Sequence, residues 1–336
     1  MNDKRKMKLF FTIILILFSG LLFSQESEDF IPSGFFYGTV FSNFHCQLDA
    51  TRNKSAFEIQ RAYLGYTYYL SENYSINIKL DIENPEHTSS SDTLKRYAYF
   101  KNAELIYNYH KLTIHAGLID LYQFKVQERF WGHRYIYKSF QDQHKFGNSA
   151  DLGVSASYEF NEFIKVDFTI MNGEGYHQLQ MDNAYKSALG FSLKPTKGLS
   201  IRLYADYIEH NEIQTTWSSF IGYQFKDIAK IGAEYNFQNN SEFRKDHNQN
   251  GFSGYTSINV SKKFELFGRF DKLWSNTLTS EPYNWNITHD GSAIIAGIQY
   301  SPIKNIKIAA NYQGWYPYAK NSENESYIYL NLEYKF

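Results

Sequence analysis

From residue 34 to the C-terminus the chain repeats one pattern, stretches of about ten residues in which apolar and polar side chains alternate. Period two is the mark of a β-strand with one apolar and one polar face. In residues 73–82, Tyr74, Ile76, Ile78, Leu80 and Ile82 share one face and Ser75, Asn77, Lys79 and Asp81 the other. Ile164, Val166, Phe168 and Ile170 likewise oppose Lys165, Asp167 and Thr169, and Ile328, Leu330, Leu332, Tyr334 and Phe336 oppose Tyr329, Asn331, Glu333 and Lys335. Sixteen segments read this way: 34–45, 56–69, 73–82, 97–109, 111–119, 149–160, 163–171, 183–194, 198–208, 215–225, 228–238, 251–260, 263–273, 291–300, 304–313 and 326–336. Within 57–69 the apolar parity switches from Phe57 and Ile59 to Ala62, Leu64, Tyr66 and Tyr68, which predicts a β-bulge at Gln60–Arg61.

The connections alternate in length. Short turns fall at 70–72, 110, 161–162, 195–197, 226–227, 261–262 and 301–303, and the loops between them are mostly longer, the longest being 120–148. An even number of antiparallel strands joined alternately by short turns and long loops predicts an all-β fold, a transmembrane antiparallel β-barrel of about 16 strands. The C-terminus and the short turns then lie in the periplasm. A soluble sandwich would need a diverse, charged outer face. Here the polar face mixes small residues with opposite charges, as in Gly153, Ser155 and Ser157, or Lys230, Gly232 and Glu234, which suits a water-filled lumen. The apolar face ends in rings at its margins, among them Tyr107 and Tyr109, Tyr158 and Phe160, and Tyr223 and Phe225, as headgroup-level girdles require.

Composition agrees. Aromatic residues reach 18%, with 29 Tyr and 28 Phe, while only 21% of the chain is charged and Pro numbers 6. So many rings exclude disorder, and no series of apolar runs of about 20 residues is present to build a helical membrane protein. Net charge is −1, which argues against nucleic acid as a partner. The lone Cys46 excludes a disulfide framework and Cys-based metal sites. Lys4, Arg5, Lys6 and Lys8 precede an apolar run from Leu9 to Phe23, too short at about 22 Å to span a bilayer. Residues 1–24 are therefore expected to be a signal peptide cut near Ser24–Gln25, leaving 25–336 as the barrel, with only 25–33 ahead of the first strand and no plug domain.

No catalytic, cofactor or metal site is expected. The ten histidines form no HExxH or strand-face pair, and His133 and His144 are the nearest thing to a cluster. No GxSxG marks a nucleophile, and NGEGY at 172–176 reads as a loop-turning element. The informative segment is 120–147, with five cations (Lys125, Arg129, Arg134, Lys138, Lys145), three carboxylates (Asp120, Glu128, Asp142) and eight rings including Trp131. A solvated loop has no use for so many rings. The expectation is a long third extracellular loop folded inward, its rings against the wall and its Lys125, Arg129, Trp131, His133, Arg134, Lys138 and Lys145 constricting the pore. On the predicted lumen wall, beside Arg61, each cation is followed two or four positions on by an anion: Lys79 and Asp81, Lys165 and Asp167, Arg202 and Asp206, Lys230 and Glu234, Arg269 and Asp271. Such a wall should be nearly neutral.

FEIQRAYLGY (57–66), QERFWGHRYIYKSF (127–140), KFGNSADLGVS (145–155) and NGEGY (172–176), with terminal Phe336, together resemble the phosphate-selective porin O/P family as found in Bacteroidetes-type genomes. The resemblance runs over nearly the whole mature chain. It implies a sixteen-stranded, usually trimeric porin of the Gram-negative outer membrane with an inward third loop, and a terminal Phe read by the barrel-assembly machinery. The arginine ladder and lysine cluster of the founding members have no residue-by-residue match here. The expected function is therefore passive diffusion of small hydrophilic solutes with weak anion preference set by Arg129, Arg134, Lys138 and Lys145, in contact with outer-membrane lipid and without a cofactor. The alternatives are a channel specific for phosphate, polyphosphate or another anion, a plugged structural barrel, and an outer-membrane lipid esterase.

Overall fold

A computed structural model describes residues 30–49, 54–83, 96–279 and 281–336; the expected signal peptide lies outside the described residues. Sixteen strands run in chain order: β1 (Ser33–Gln47), β2 (Ser55–Tyr69), β3 (Tyr74–Glu83), β4 (Tyr97–Tyr109), β5 (Leu112–Asp120), β6 (Ala150–Glu159), β7 (Ile164–Met171), β8 (Lys186–Leu193), β9 (Leu199–Glu209), β10 (Ile213–Phe225), β11 (Ala229–Asn239), β12 (Gln249–Asn259), β13 (Phe264–Ser275), β14 (Gly291–Ile303), β15 (Ile306–Pro317) and β16 (Glu325–Lys335). Two short helices, α1 (Lys125–Trp131) and α2 (Phe140–Gln143), lie in the long connection after β5. Each strand pairs antiparallel with the next, and β1 with β16 closes the barrel from Thr39↔Lys335 to Gln47↔Tyr327. Closure removes every open sheet edge, as a membrane interior demands.

All sixteen expected strands are present, their ends displaced by at most four residues. β8 starts at Lys186 rather than 183 because Ala184 N–H donates to the Asp182 carboxylate and Gln180 Nε2 to the Ala184 carbonyl. These local bonds compete with the ladder. The bulge foreseen at Gln60–Arg61 is there: Phe41 faces Arg61 and Ser42 faces Ile59, leaving Gln60 without a partner. A second bulge, not foreseen, falls on β4, where Lys79 faces Asn102 and Leu80 faces Phe100. It turns both Lys101 and Asn102 into the lumen, where both are buried.

The outward residues form an apolar belt, with Leu64, Leu105, Val154, Leu203, Ile221 and Leu330 exposed on the outer surface. Exposed Tyr69, Tyr109, Phe160, Phe225 and Phe264 edge it at the short-turn end. The terminal Phe336 exchanges backbone hydrogen bonds with Gly38 at 3.0 and 3.1 Å, and its ring fills the space over that glycine. The packed core sits inside the barrel. Phe41, Phe220, Tyr255, Phe267, Ala293, Ile295 and Ala309 point inward and are covered by Trp131, Tyr135 and Ile136 of the long loop.

Candidate functional site

The connection after Asp120 folds into the barrel, as its excess of rings foretold. Seven residues of helix end at Gly132, whose φ of +74° lets its N–H return to the Glu128 carbonyl at 3.0 Å. Beyond it the loop is fastened along the wall from β10 to β16. Tyr135 Oη donates to Gln299 at 2.9 Å and Gln141 Nε2 to Ser218 at 2.8 Å. Arg269 Nη1 donates to the Lys138 carbonyl at 2.8 Å, Lys307 Nζ to that of Gly132 at 3.2 Å, and Gln313 Nε2 to that of Ile136 at 3.3 Å. Wall glycines make room for the loop's rings: a Cβ at Gly222 would stand 2.7 Å from the Phe130 ring, and one at Gly251 would collide with Phe140. Each buried ring contributes roughly 1.5–3 kcal/mol, so the docked loop is a fixed part of the lumen.

The loop's charged residues divide by environment. Lys125 Nζ binds Asp120 at 2.7 Å, and Lys79 reaches the same carboxylate at 3.3 Å. Arg134 lies between Glu128 (3.4 Å) and Asp142 (3.1 Å). Burial pushes the Asp142 carboxyl up, but Arg134 and Lys138 outweigh it and hold it below the usual carboxylate range. Arg129 and Lys145 are exposed to the lumen and, among the described residues, make no ion pair. Trp131 is buried against Tyr255 and Phe267 and donates its indole N–H to the Tyr137 carbonyl at 3.2 Å. The two histidines dock on β13, His133 with Nε2 3.5 Å from Glu265 and His144 with Nε2 4.0 Å from Asp271. Burial lowers both, His144 to about 4.

The wall charges are matched, but mostly by partners other than those the sequence suggested. Only Arg269 takes the partner on its own strand, binding Asp271 through Nε (2.7 Å) and Nη2 (2.6 Å). Arg202 reaches over Gly190 of β8 to Asp167 on β7, and Asp206 instead faces Lys186 at 3.8 Å. Lys165 binds Glu159 at 3.2 Å and Lys230 approaches Glu265 at 3.8 Å, while Glu234 accepts from Asn236 at 3.2 Å. Asp81 is held by Arg61 Nε at 3.3 Å, and Arg61 also contacts Glu83. The reason is geometric. Directly opposite residues such as Lys165 and Glu159 stand about 5 Å apart, closer than side chains two positions on along one strand. The long side chains of Lys79, Arg202 and Lys230 reach over one intervening strand to Asp120, Asp167 and Glu265.

Two groups escaped the sequence reading. Lys101, brought inward by the β4 bulge, contacts the Ser149 hydroxyl, and its Nζ lies 4.0 Å from the Tyr176 ring centroid. Tyr176 belongs to the loop after β7, which crosses to the β2–β4 wall and donates its hydroxyl to Asp81 at 2.8 Å. His177 beside it is 3.3 Å from Glu83. The NGEGY segment turns this loop: Asp151 accepts from the N–H groups of Gly173 (2.7 Å) and Gly175 (3.2 Å), both at positive φ. The signal for Lys101 was present as two adjacent polar residues, Lys101–Asn102, between the outward Phe100 and Ala103.

An apolar belt around a closed, polar-lined barrel of sixteen strands defines a transmembrane barrel of the Gram-negative outer membrane, with the fold of the porins. Neither a protein-family profile nor a curated protein sequence matches the chain. Solved structures share the fold. OmpF of Salmonella typhi, in complex with daunomycin, superposes with a TM-score of 0.67 at 10% identity, over 90% of this chain and 97% of that one. The outer membrane channel DcaP of Acinetobacter baumannii gives 0.66 at 11%, over 93% and 99%. An anion-selective porin from Comamonas acidovorans gives 0.63 at 12%, over 91% and 100%. At such identities the likeness is one of fold.

Proposed function

We propose that this protein is an outer-membrane porin through which small hydrophilic solutes diffuse passively, with a weak preference for anions. The observation that carries the reading is the charge balance of the inward loop. Asp120, Glu128 and Asp142 are each engaged by a cation, whereas Arg129 and Lys145 stand exposed and unmatched among the described residues. At physiological salt a field fades over about 8 Å, so two unmatched cations bias a passing ion without binding it tightly. Arg134, expected to share this role, has its charge met by two carboxylates. The loop constricts the pore, and Lys138 adds to its basic face. Export by the N-terminal signal, insertion by the barrel-assembly machinery, a homotrimeric assembly and kinship with the O/P porins complete the proposal.

The test is planar-bilayer conductance of the refolded mature chain in a KCl gradient, followed by titration with phosphate. Open channels with a small anion-selective reversal potential and no phosphate block support the general porin. Saturable block at low phosphate would replace it with a phosphate-specific channel. Absence of open channels from a correctly folded barrel would favour a plugged structural barrel, and ester turnover lost on mutation of one serine would make it an enzyme.

A further inference from the structure

At the long-loop mouth of the barrel, the inner wall formed by β15, β16, β1 and β2 carries rings where a water-filled lumen needs none. Tyr327 and Tyr329 are consecutive inward positions of β16, their centroids 5.7 Å apart and their planes tilted by 38°. His45 of β1 faces both, at 6.2 and 5.5 Å. All three are half-buried, so each keeps part of its surface to the water. The two tyrosine hydroxyls have no hydrogen-bond partner among the described residues. This sets them apart from the other inward rings. Tyr255, Phe220 and Phe267 are buried under the long loop, whereas Tyr327 and Tyr329 are only half-buried among the described residues.

Around the rings stand short polar groups. Asn43 Oδ1 meets His45 Nδ1 at 2.9 Å, Gln47 lies opposite Tyr327 in the β1–β16 ladder, and Gln313 lies opposite it in the β15–β16 ladder. Glu325 is exposed one inward step above Tyr327. At the edge of the patch Lys54, whose carbonyl accepts from the Gln47 N–H at 2.9 Å, is offset by Glu58, opposite Asn43, and by Glu325, so an anion meets no net positive charge among the described residues there. Half-exposed rings flanked by amides and a carboxylate match a solute with apolar faces and polar rims.

We infer that this wall is a saccharide subsite, at which the pyranose rings of a neutral oligosaccharide stack on Tyr327, Tyr329 and His45 while their hydroxyls bond to Gln47, Glu325 and the two tyrosine hydroxyls. The two tyrosine rings stand 5.7 Å apart, a spacing that seats adjacent sugar units in turn. They stand near the long-loop end of β16, the end from which a solute would enter. The inference rests on the porin reading for its physiological meaning, but binding can be read without conductance.

The experiment therefore has two arms. In the first, maltotriose is titrated against the folded wild-type barrel in detergent by isothermal calorimetry. In the second, it is added to the long-loop side of single channels while ion current is recorded. The expected result is saturable binding and saturable current block at millimolar sugar. The double variant Tyr327→Ala/Tyr329→Ala should raise both midpoints at least tenfold, and Tyr329→Phe should change them less than threefold. Absence of binding in detergent overturns the subsite, as does binding unchanged in the double variant. Block by spermine but not by maltotriose would make it a site for organic cations and overturn it equally. Binding without any open-channel current would leave the subsite standing and sink the porin reading alone.

Discussion

Arg129 and Lys145 differ from every other cation of the inward loop in facing water without a carboxylate partner among the described residues. Reversing both, Arg129→Glu with Lys145→Glu, should turn the reversal potential in a KCl gradient from the anion to the cation side while leaving the fold intact. An unchanged potential would move the source of selectivity elsewhere on the wall. His144 carries a different prediction. It lies between the Phe140 ring (4.5 Å) and Trp315 (5.7 Å), facing Asp271 with Arg269 close behind. A free histidine titrates near 6.5, and burial holds this one at about 4. The docked loop thus excludes a proton that an undocked loop would bind. Docking is at full strength above about pH 6.5 and weakens as pH falls toward 4, by on the order of 3 kcal/mol in all. Hydrogen exchange, corrected for its intrinsic pH dependence, should show less protection across 140–146 at pH 4.5 than at pH 7. His144→Gln, which cannot take the proton, should abolish the difference. Equal pH dependence in wild type and variant would show that His144 does not govern docking.

The docking of the loop as an element depends on what the strands omit. Gly222 of β10 pairs with Gly232 of β11, and the Phe130 ring lies over both; Gly251 of β12 leaves the space that Phe140 fills. A valine at Gly251 would occupy that space, at a cost of roughly 1–3 kcal/mol. The ring would have to leave its place between Phe146 and Leu273. Gly251→Val should therefore keep the barrel closed but speed tryptic cleavage after Arg134, Lys138 or Lys145 by an order of magnitude or more; wild-type cleavage kinetics would refute the wedge. The strands themselves were legible in the sequence, because one apolar and one aqueous face impose period two on every crossing. The bulge at Gln60–Arg61 was legible for the same reason, as a break in parity. The matching break at Lys101–Asn102 was overlooked because β4 has weak alternation at its start, with Tyr97, Tyr99 and Phe100 in one run. That the long loop turns inward followed from its rings. Which wall receives it did not, since the glycine slots and the partners of Gln141, Arg269 and Lys307 are set by strand register. The ion-pair partners were misread for the same cause: Lys79 meets Asp120 and Arg202 meets Asp167 across strands.

At the scale of the whole molecule two structures are nested, and they are held by different forces. The outer one is a ring of backbone hydrogen bonds closed between β1 and β16, which leaves no strand edge to the lipid. The inner one is a packed core of side chains between the long loop and the β10–β15 wall. Among the described residues none of the sixteen strand pairings, the closing pair included, takes a backbone bond from residues 126–140. Removing that segment should therefore empty the lumen and spare the barrel. Deletion of 126–140 takes away Phe130, Trp131, Tyr135 and Ile136 from the core and Arg129 and Arg134 from its charged face. The expected outcome is a barrel that still refolds, with a lower melting temperature and a single-channel conductance raised severalfold, together with a loss of part of the anion preference. The exposed Phe220, Tyr255 and Phe267 would then face water, so the variant should also bind an apolar fluorescent probe that the parent excludes. A folded deletion variant with unchanged conductance would show that the pore does not pass along this loop. The loop would then be a structural filling of the barrel, and its exposed cations would have no ion to select.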